Sequence, residues 1–145
     1  MTDTPTGQCL CGSVAFSLEK PISHVDACHC RMCQRWMGGP FIGADLRDGG
    51  VRFSKDETLT WYESSDWAMR GFCSRCGSSM FYRLKGEANF WAIAIGVLDH
   101  APDTTLGKEI FIDEKPALYA LQGDHPRLTG EEFLATLNLS SDEAN

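Results

Sequence analysis

Apolar residues alternate with small or polar ones in a series of short stretches along this chain, the period-two pattern of strands that bury one face. The first such stretch is "SVAFSL" (13–18). It is followed by "FIGADL" (41–46), "VRFS" (51–54), "LTWYE" (59–63), "SMFYRL" (79–84), "FWAIAIGVL" (90–98) and "EIFID" (109–113), with glycine-, proline- or aspartate-rich turns between them. Many short strands without interleaved helices predict a mainly β chain with antiparallel pairing. Thr129, three positions before Glu132, makes a capping-box pattern ahead of "FLATLNL" and predicts a short C-terminal helix. "RMCQRWM" (31–37) has room for a further helical turn, and the final "SSDEAN" reads as a frayed polar tail. There is no internal repeat, low-complexity linker or coiled-coil heptad.

The 145 residues, 43% of them hydrophobic, suit a single domain with one ordinary core. A net charge of −7 disfavours nucleic acid and anionic membrane surfaces as partners, because both repel an acidic chain. No apolar run reaches the roughly 20 residues needed to cross a bilayer. The N-terminal "MTDTPTGQ" has neither the basic nor the hydrophobic segment of a secretion signal, so the expected location is cytoplasmic. In that reducing compartment the seven cysteines are expected to be metal ligands or reactive thiols, and their odd number leaves one over in any full disulfide scheme.

Those cysteines fall into three groups: Cys9 and Cys11, then Cys28, Cys30 and Cys33, then Cys73 and Cys76. A C-x-C pair on an extended strand points both sulfurs to one face, and C-x-x-C in a tight turn also brings two thiolates to one ion. Cys11 is followed by Gly12 and Cys76 by Gly77, and glycine there lets a metal knuckle turn through backbone angles that other residues resist. No glycine follows Cys33. The two outer pairs therefore read as matching halves of one closed four-sulfur site, which is structural because no coordination position remains.

The central trio has two metal readings. Three protein ligands with an open fourth position make a working zinc site, where the metal holds an incoming thiol in its nucleophilic form. Alternatively His29 completes a structural Cys₃His site, although on an extended C-H-C segment it points away from its neighbours' sulfurs. A third possibility leaves the trio metal-free, as buried or redox-active thiols. Soft sulfur donors and tetrahedral preference favour zinc, two ions per chain, with iron the competing metal.

"CLCGSVAFSL", "CHCRMCQRWMGG", "MRGFCSRCGSSMFY" and "IFIDEKPALY" resemble, in order, the signature segments of the glutathione-dependent formaldehyde-activating enzyme family, also called the centromere-protein-V-like domain. The similarity runs over residues 7–128, leaving 129–145 as C-terminal helix and tail of one overall domain. It implies a complex β fold held by a structural zinc on Cys9, Cys11, Cys73 and Cys76, with a catalytic zinc on Cys28, Cys30 and Cys33. The implied activity is carbon–sulfur bond chemistry of the S-hydroxymethylglutathione synthase kind, joining a small thiol such as glutathione to a small aldehyde such as formaldehyde. The chain departs from the family pattern at Leu118, where members often carry tryptophan. The alternative function is a non-catalytic zinc-binding module that presents an interaction surface.

Among other residues, Trp36, Trp61, Trp67 and Trp91 are candidates for pocket walls or for plain core packing. Arg31, Arg35 and Arg70 are candidates for carboxylate binding or for solvated surface charge. "MGGPF" (37–41) fits a backbone-lined site or an ordinary turn. His24, His100 and His125 are isolated in sequence, and Ser64 and Ser65 lack the surroundings of a hydrolase nucleophile.

Overall fold

A computed structural model describes residues 4–46, 50–86 and 89–137. Among these, ten strands run in chain order: β1 (Thr6–Gln8), β2 (Ala15–Leu18), β3 (Val25–Cys28), β4 (Phe41–Leu46), β5 (Val51–Lys55), β6 (Leu59–Glu63), β7 (Ala68–Cys73), β8 (Ser79–Leu84), β9 (Trp91–Ala94) and β10 (Lys108–Ile110). Two helices accompany them, α1 (Arg31–Met37) and α2 (Gly130–Thr136). The mainly β expectation and the short C-terminal helix are both observed. The tail from 138 onward lies outside the described residues.

The chain groups into two compact units, Met1–Ser23 with Ala44–Asp103, and His24–Gly43 with Thr104–Asn145. In the first, β1, β2 and β5 form a three-stranded antiparallel sheet. β6, β7, β8 and β9 pair in sequence as an antiparallel meander, with Trp61, Gly71, Phe81 and Ile93 in one cross-strand row and Glu63, Met69, Arg83 and Trp91 in the row two positions along. Phe16, Leu18, Met80, Phe81 and Ile93 belong to a buried apolar cluster, to which alternation along β2 contributes Phe16 and Leu18. Phe81 touches Phe16, Phe53 and Trp91 edge-on, at ring separations of 5.2, 5.6 and 5.6 Å.

The second unit has a different centre. Here β3 and β10 pair in parallel, with Ala27 opposite Glu109 and Cys28 opposite Ile110, which corrects the expectation of antiparallel pairing throughout. A parallel pair needs a long crossover, and this one is supplied by everything between residues 28 and 108. The buried residues include Ala27, His29, Cys33, Phe41 and Glu109, so polar side chains sit among the apolar ones. α2 begins with both halves of its capping box: the Glu132 amide donates to Thr129 Oγ1 at 3.1 Å and the Thr129 amide to Glu132 Oε1 at 2.8 Å.

Two predicted strands stop early for local reasons. Beyond Ala94 the chain tightens into a 3₁₀ turn over Ile95–Val97 around Gly96. After Ile110, Phe111 takes a left-handed conformation (φ 56°) and lays its ring toward Phe133 of α2, 6.1 Å away. Three strands have no expectation behind them: β1 is three residues long, β3 is the short run "VDAC", and in β7 the buried Arg70 and Gly71 break the apolar rhythm.

Candidate metal centres

The sulfurs of Cys9, Cys11, Cys73 and Cys76 all lie within 4.8 Å of one another. Cys9 to Cys11 is 3.7 Å and Cys11 to Cys73 is 3.9 Å. A zinc tetrahedron with bonds of about 2.3 Å has edges of about 3.8 Å, so the four thiols have the spacing of a four-sulfur ligand set. The Cys9–Cys11 pair sits in a turn after β1, a correction to the expectation that it rides an extended strand. What brings the sulfurs together is a pair of matching knuckles. The Gly12 amide donates to the Cys9 carbonyl at 3.1 Å and the Gly77 amide to the Cys73 carbonyl at 2.7 Å, with φ of 81° and 80° at the two glycines. Those angles are the ones the glycine-after-cysteine pattern anticipates.

Hydrogen bonds already prepare this group for negative charge. The Val14 amide donates to Cys9 Sγ at 3.3 Å, and the Ser13 and Thr58 hydroxyls each lie 3.3 Å from Cys73 Sγ. Burial pushes the Cys73 thiol up, but these hydroxyls and the Cys76 and Arg75 amides outweigh it and bring the thiol down to about 5. At Cys76 the Ser78 hydroxyl, 3.3 Å away, outweighs desolvation and lowers the thiol to about 7. Cys9 is shifted the other way, chiefly by burial.

The sulfurs of Cys28, Cys30 and Cys33 form a second group within 4.8 Å, and among the described residues no histidine nitrogen or carboxylate oxygen joins them. Cys28 closes β3, Cys30 is the N-cap of α1, and Cys33 lies one turn into the helix. The Cys33 amide donates to Cys30 Sγ at 3.3 Å, so a potential ligand also caps the helix. Cys30 and Cys33 beside it, together with burial, push the Cys28 thiol strongly up. The Cys28 thiol thus resists losing its proton until a cation offsets the charge beside it, and three soft sulfur donors suit a soft metal ion.

His29 faces the other way. Alternation along the segment puts Ala27 and His29, both fully buried, on one side and the partly exposed Cys28 and Cys30 on the other. His29 Nε2 meets Glu109 Oε1 at 2.7 Å, and Nδ1 lies 3.5 Å from the Tyr119 hydroxyl. Glu109, itself fully buried, gives its other oxygen to His125 Nε2 at 2.6 Å and Arg127 Nε at 2.9 Å. Burial alone would raise the Glu109 carboxyl, yet the bonds to His125 and His29, with the charge of Arg127, hold it below the ordinary value of 4.5. The same burial, with the Glu109 charge, raises Tyr119. Gln34 ties the segment from the helix side, its Nε2 donating to the His29 and Glu114 carbonyls at 2.6 and 2.8 Å.

Sequence reasoning missed Glu109, Gln34 and Tyr119. The signal for Glu109 was a lone acid inside the apolar "EIFI", and His125, judged isolated, turns out to be its partner. The proposed pocket and carboxylate residues divide. Trp36 stacks on Phe41 at 5.6 Å, Trp61 and Trp91 join the aromatic core of the first unit, and Trp67 is partly exposed. Arg31 bonds Gln34 Oε1 at 2.8 Å, Arg35 is exposed on α1, and Arg70 is buried against the Tyr82 ring at 5.1 Å. Gly38 ends α1, so "MGGPF" is at least a helix cap. Ser64 and Ser65 hold the turn before β7. Leu118 is 84% exposed.

Two sulfur clusters of unequal size on a mainly β scaffold define a thiol-rich class of protein whose cysteine groups could hold metal ions. Comparison with known proteins makes this specific: residues 4–114 match the glutathione-dependent formaldehyde-activating enzyme family, and the chain belongs to that family. An uncharacterized lyase of Schizosaccharomyces pombe is 26% identical over 133 residues, covering 90% of this chain and 95% of the yeast protein. A crystal structure of a Rhodobacter sphaeroides protein superimposes with a TM-score of 0.56 at 22% identity, covering 84% of this chain and 98% of that one, and so shares the fold.

Proposed function

We propose that this chain is a zinc-dependent enzyme of the carbon–sulfur lyase type, acting on adducts of a small aldehyde with a thiol such as glutathione. Family membership and the lyase name of the yeast relative support the reaction class. In this reading Cys9, Cys11, Cys73 and Cys76 hold a structural zinc, and Cys28, Cys30 and Cys33 hold a catalytic one. The observation that carries it is the engagement of His29 by Glu109 at 2.7 Å, away from the sulfurs, which leaves the trio with three protein donors. Zinc on three thiolates supplies Lewis acidity and lowers the pKa of a thiol that comes to it.

The remaining work falls to the protein. Cys30 and Cys33 are fixed by the first turn of α1, and Gln34 and His29 brace the loop from behind, so the sulfur triangle is held before substrate arrives. In the synthetic direction a sulfur–carbon bond forms, the carbonyl π bond opens, and the thiol proton ends on the new hydroxyl oxygen; nothing is oxidised or reduced. The test is exchange of formaldehyde with a panel of thiols, glutathione included, followed with and without protein. The expected result is acceleration that disappears on chelation and in Cys28→Ser, while that variant keeps one equivalent of zinc. No acceleration for any thiol would leave the non-catalytic module as the better account.

A further inference from the structure

In the first unit, the meander carries a feature that the sulfur clusters do not use. Arg83 of β8 lies over two indoles set nearly at right angles to each other, its guanidinium carbon 4.5 Å from the Trp61 ring centroid and 5.8 Å from that of Trp91. Gly71, in the cross-strand row between Trp61 and Phe81, makes the arrangement possible: a Cβ there would stand 3.0 Å from the Trp61 ring. A guanidinium held over aromatic rings keeps in-plane N–H groups as donors. The hydrogen bond it makes is from Nη2 to Met69 Sδ at 3.5 Å, a weak acceptor. Among the described residues no carboxylate pairs with Arg83.

Arg83 opens on a cleft of about 420 Å³ with Leu84, Met69 and Trp91 as apolar lining and Asn89 as a further polar group. Lys85 also lines it, but its ammonium is matched by Glu63. Among the described residues that line the cleft, Arg83 is therefore the cation without a carboxylate partner, and its planar donor fork is held by its aromatic neighbours. We propose that this cleft binds a small organic monocarboxylate with an apolar tail. Two carboxylate oxygens match the fork in its own plane, the tail lies on Trp91 and Leu84, and a single charge matches a single charge. A dianion such as phosphate would lack a second free cation here and would meet an overall net charge of −7.

The experiment uses the full zinc-loaded chain and follows indole N–H signals by two-dimensional NMR while sodium hexanoate is added at constant ionic strength, with chloride and phosphate as comparison anions. Saturable shifts are expected at Trp61 and Trp91, with Trp36 and Trp67 still. Arg83→Lys, which keeps the charge and stem but not the fork, is expected to weaken hexanoate binding roughly tenfold or more, and Arg83→Gln to abolish it. Should Arg83→Gln fail to fold, the lysine variant alone decides. Non-saturating shifts, unchanged binding in Arg83→Lys, or saturation by phosphate in place of hexanoate would each overturn the proposal and leave Arg83 as a cap on the aromatic core.

Discussion

The two sulfur clusters are built from the same residue type and held in opposite ways. The group of four is seated by two glycine turns and wrapped in amide and hydroxyl donors, so that Cys73 and Cys76 are lowered to about 5 and 7 even as thiols. The group of three is seated by a helix start and by a buried polar network on its far side, and its Cys28 thiol is pushed strongly up. A closed site gains from surroundings that already favour negative charge on its sulfurs, because its job would be to hold a metal permanently. A site that exchanges a ligand gains from sulfurs fixed in place whose charge is answered mainly by the ion itself. The surroundings differ to match: an apolar aromatic core in the first unit, a buried carboxylate between two histidines in the second.

The largest effect expected from this contrast is between two cysteine-to-serine variants. On the proposed reading, Cys73→Ser removes a fully buried sulfur from a structural zinc site and forfeits much of the about 10–16 kcal/mol that such a metal contributes in small domains, enough to abolish cooperative unfolding. Cys30→Ser also removes a proposed ligand, but serine is a better N-cap, so the fold is expected to survive with stability unchanged or raised by up to about 1 kcal/mol. Circular dichroism on heating, paired with zinc content, reads both. Equal loss of structure in the two variants would erase the distinction between a holding site and a working one.

Next in size is the network behind the trio. Glu109→Ala leaves His29, His125 and Arg127 without their shared partner and is expected to cost about 3–5 kcal/mol in denaturant unfolding, because the two histidine side chains stay buried while Arg127 can turn to solvent. Its pH dependence has a definite sign. The folded carboxyl titrates below its ordinary 4.5, so the stabilisation it brings is complete above that value and drains away as pH falls through the lower folded value. The stability gap between the native chain and Glu109→Gln should accordingly narrow only in acid below 4.5. A gap that widened there would mean that the carboxyl is raised, with burial winning over its partners.

These two regions were not equally legible. The four-sulfur site could be read because its requirements are local: C-x-C-G and C-x-x-C-G spell out a left-handed turn after each pair, and Gly12 and Gly77 adopt it. Strands β4, β6 and β8 were legible for the same reason, since alternation is carried by neighbouring residues. Of the three-sulfur group, only the cysteines themselves were legible. What positions it comes from Glu109, Glu114, Tyr119 and His125, some 80 to 90 residues away for the first three. No periodicity joins such positions. The parallel β3–β10 pair escaped notice because four residues of "VDAC" carry too little pattern to mark a strand, let alone its partner.

The smallest expected effect asks whether the glycine turns of the four-sulfur site act through backbone shape alone. A Cβ at Gly77 would meet nothing within 4 Å, and one at Gly12 would meet only Gln8 Oε1 at 3.7 Å. Crowding is therefore absent, and alanine at either place is expected to cost about 1 kcal/mol from the positive φ. Asparagine tolerates that conformation better than alanine, so Gly77→Asn should recover part of the loss. The position after Cys33 is helical and makes no such demand, so it needs no glycine and carries Gln34. Denaturant midpoints of the zinc-loaded variants measure the differences. If Gly77→Asn proved no better than Gly77→Ala, the cost would lie in something other than left-handed geometry, and the likeness between the two knuckles would lose its physical basis.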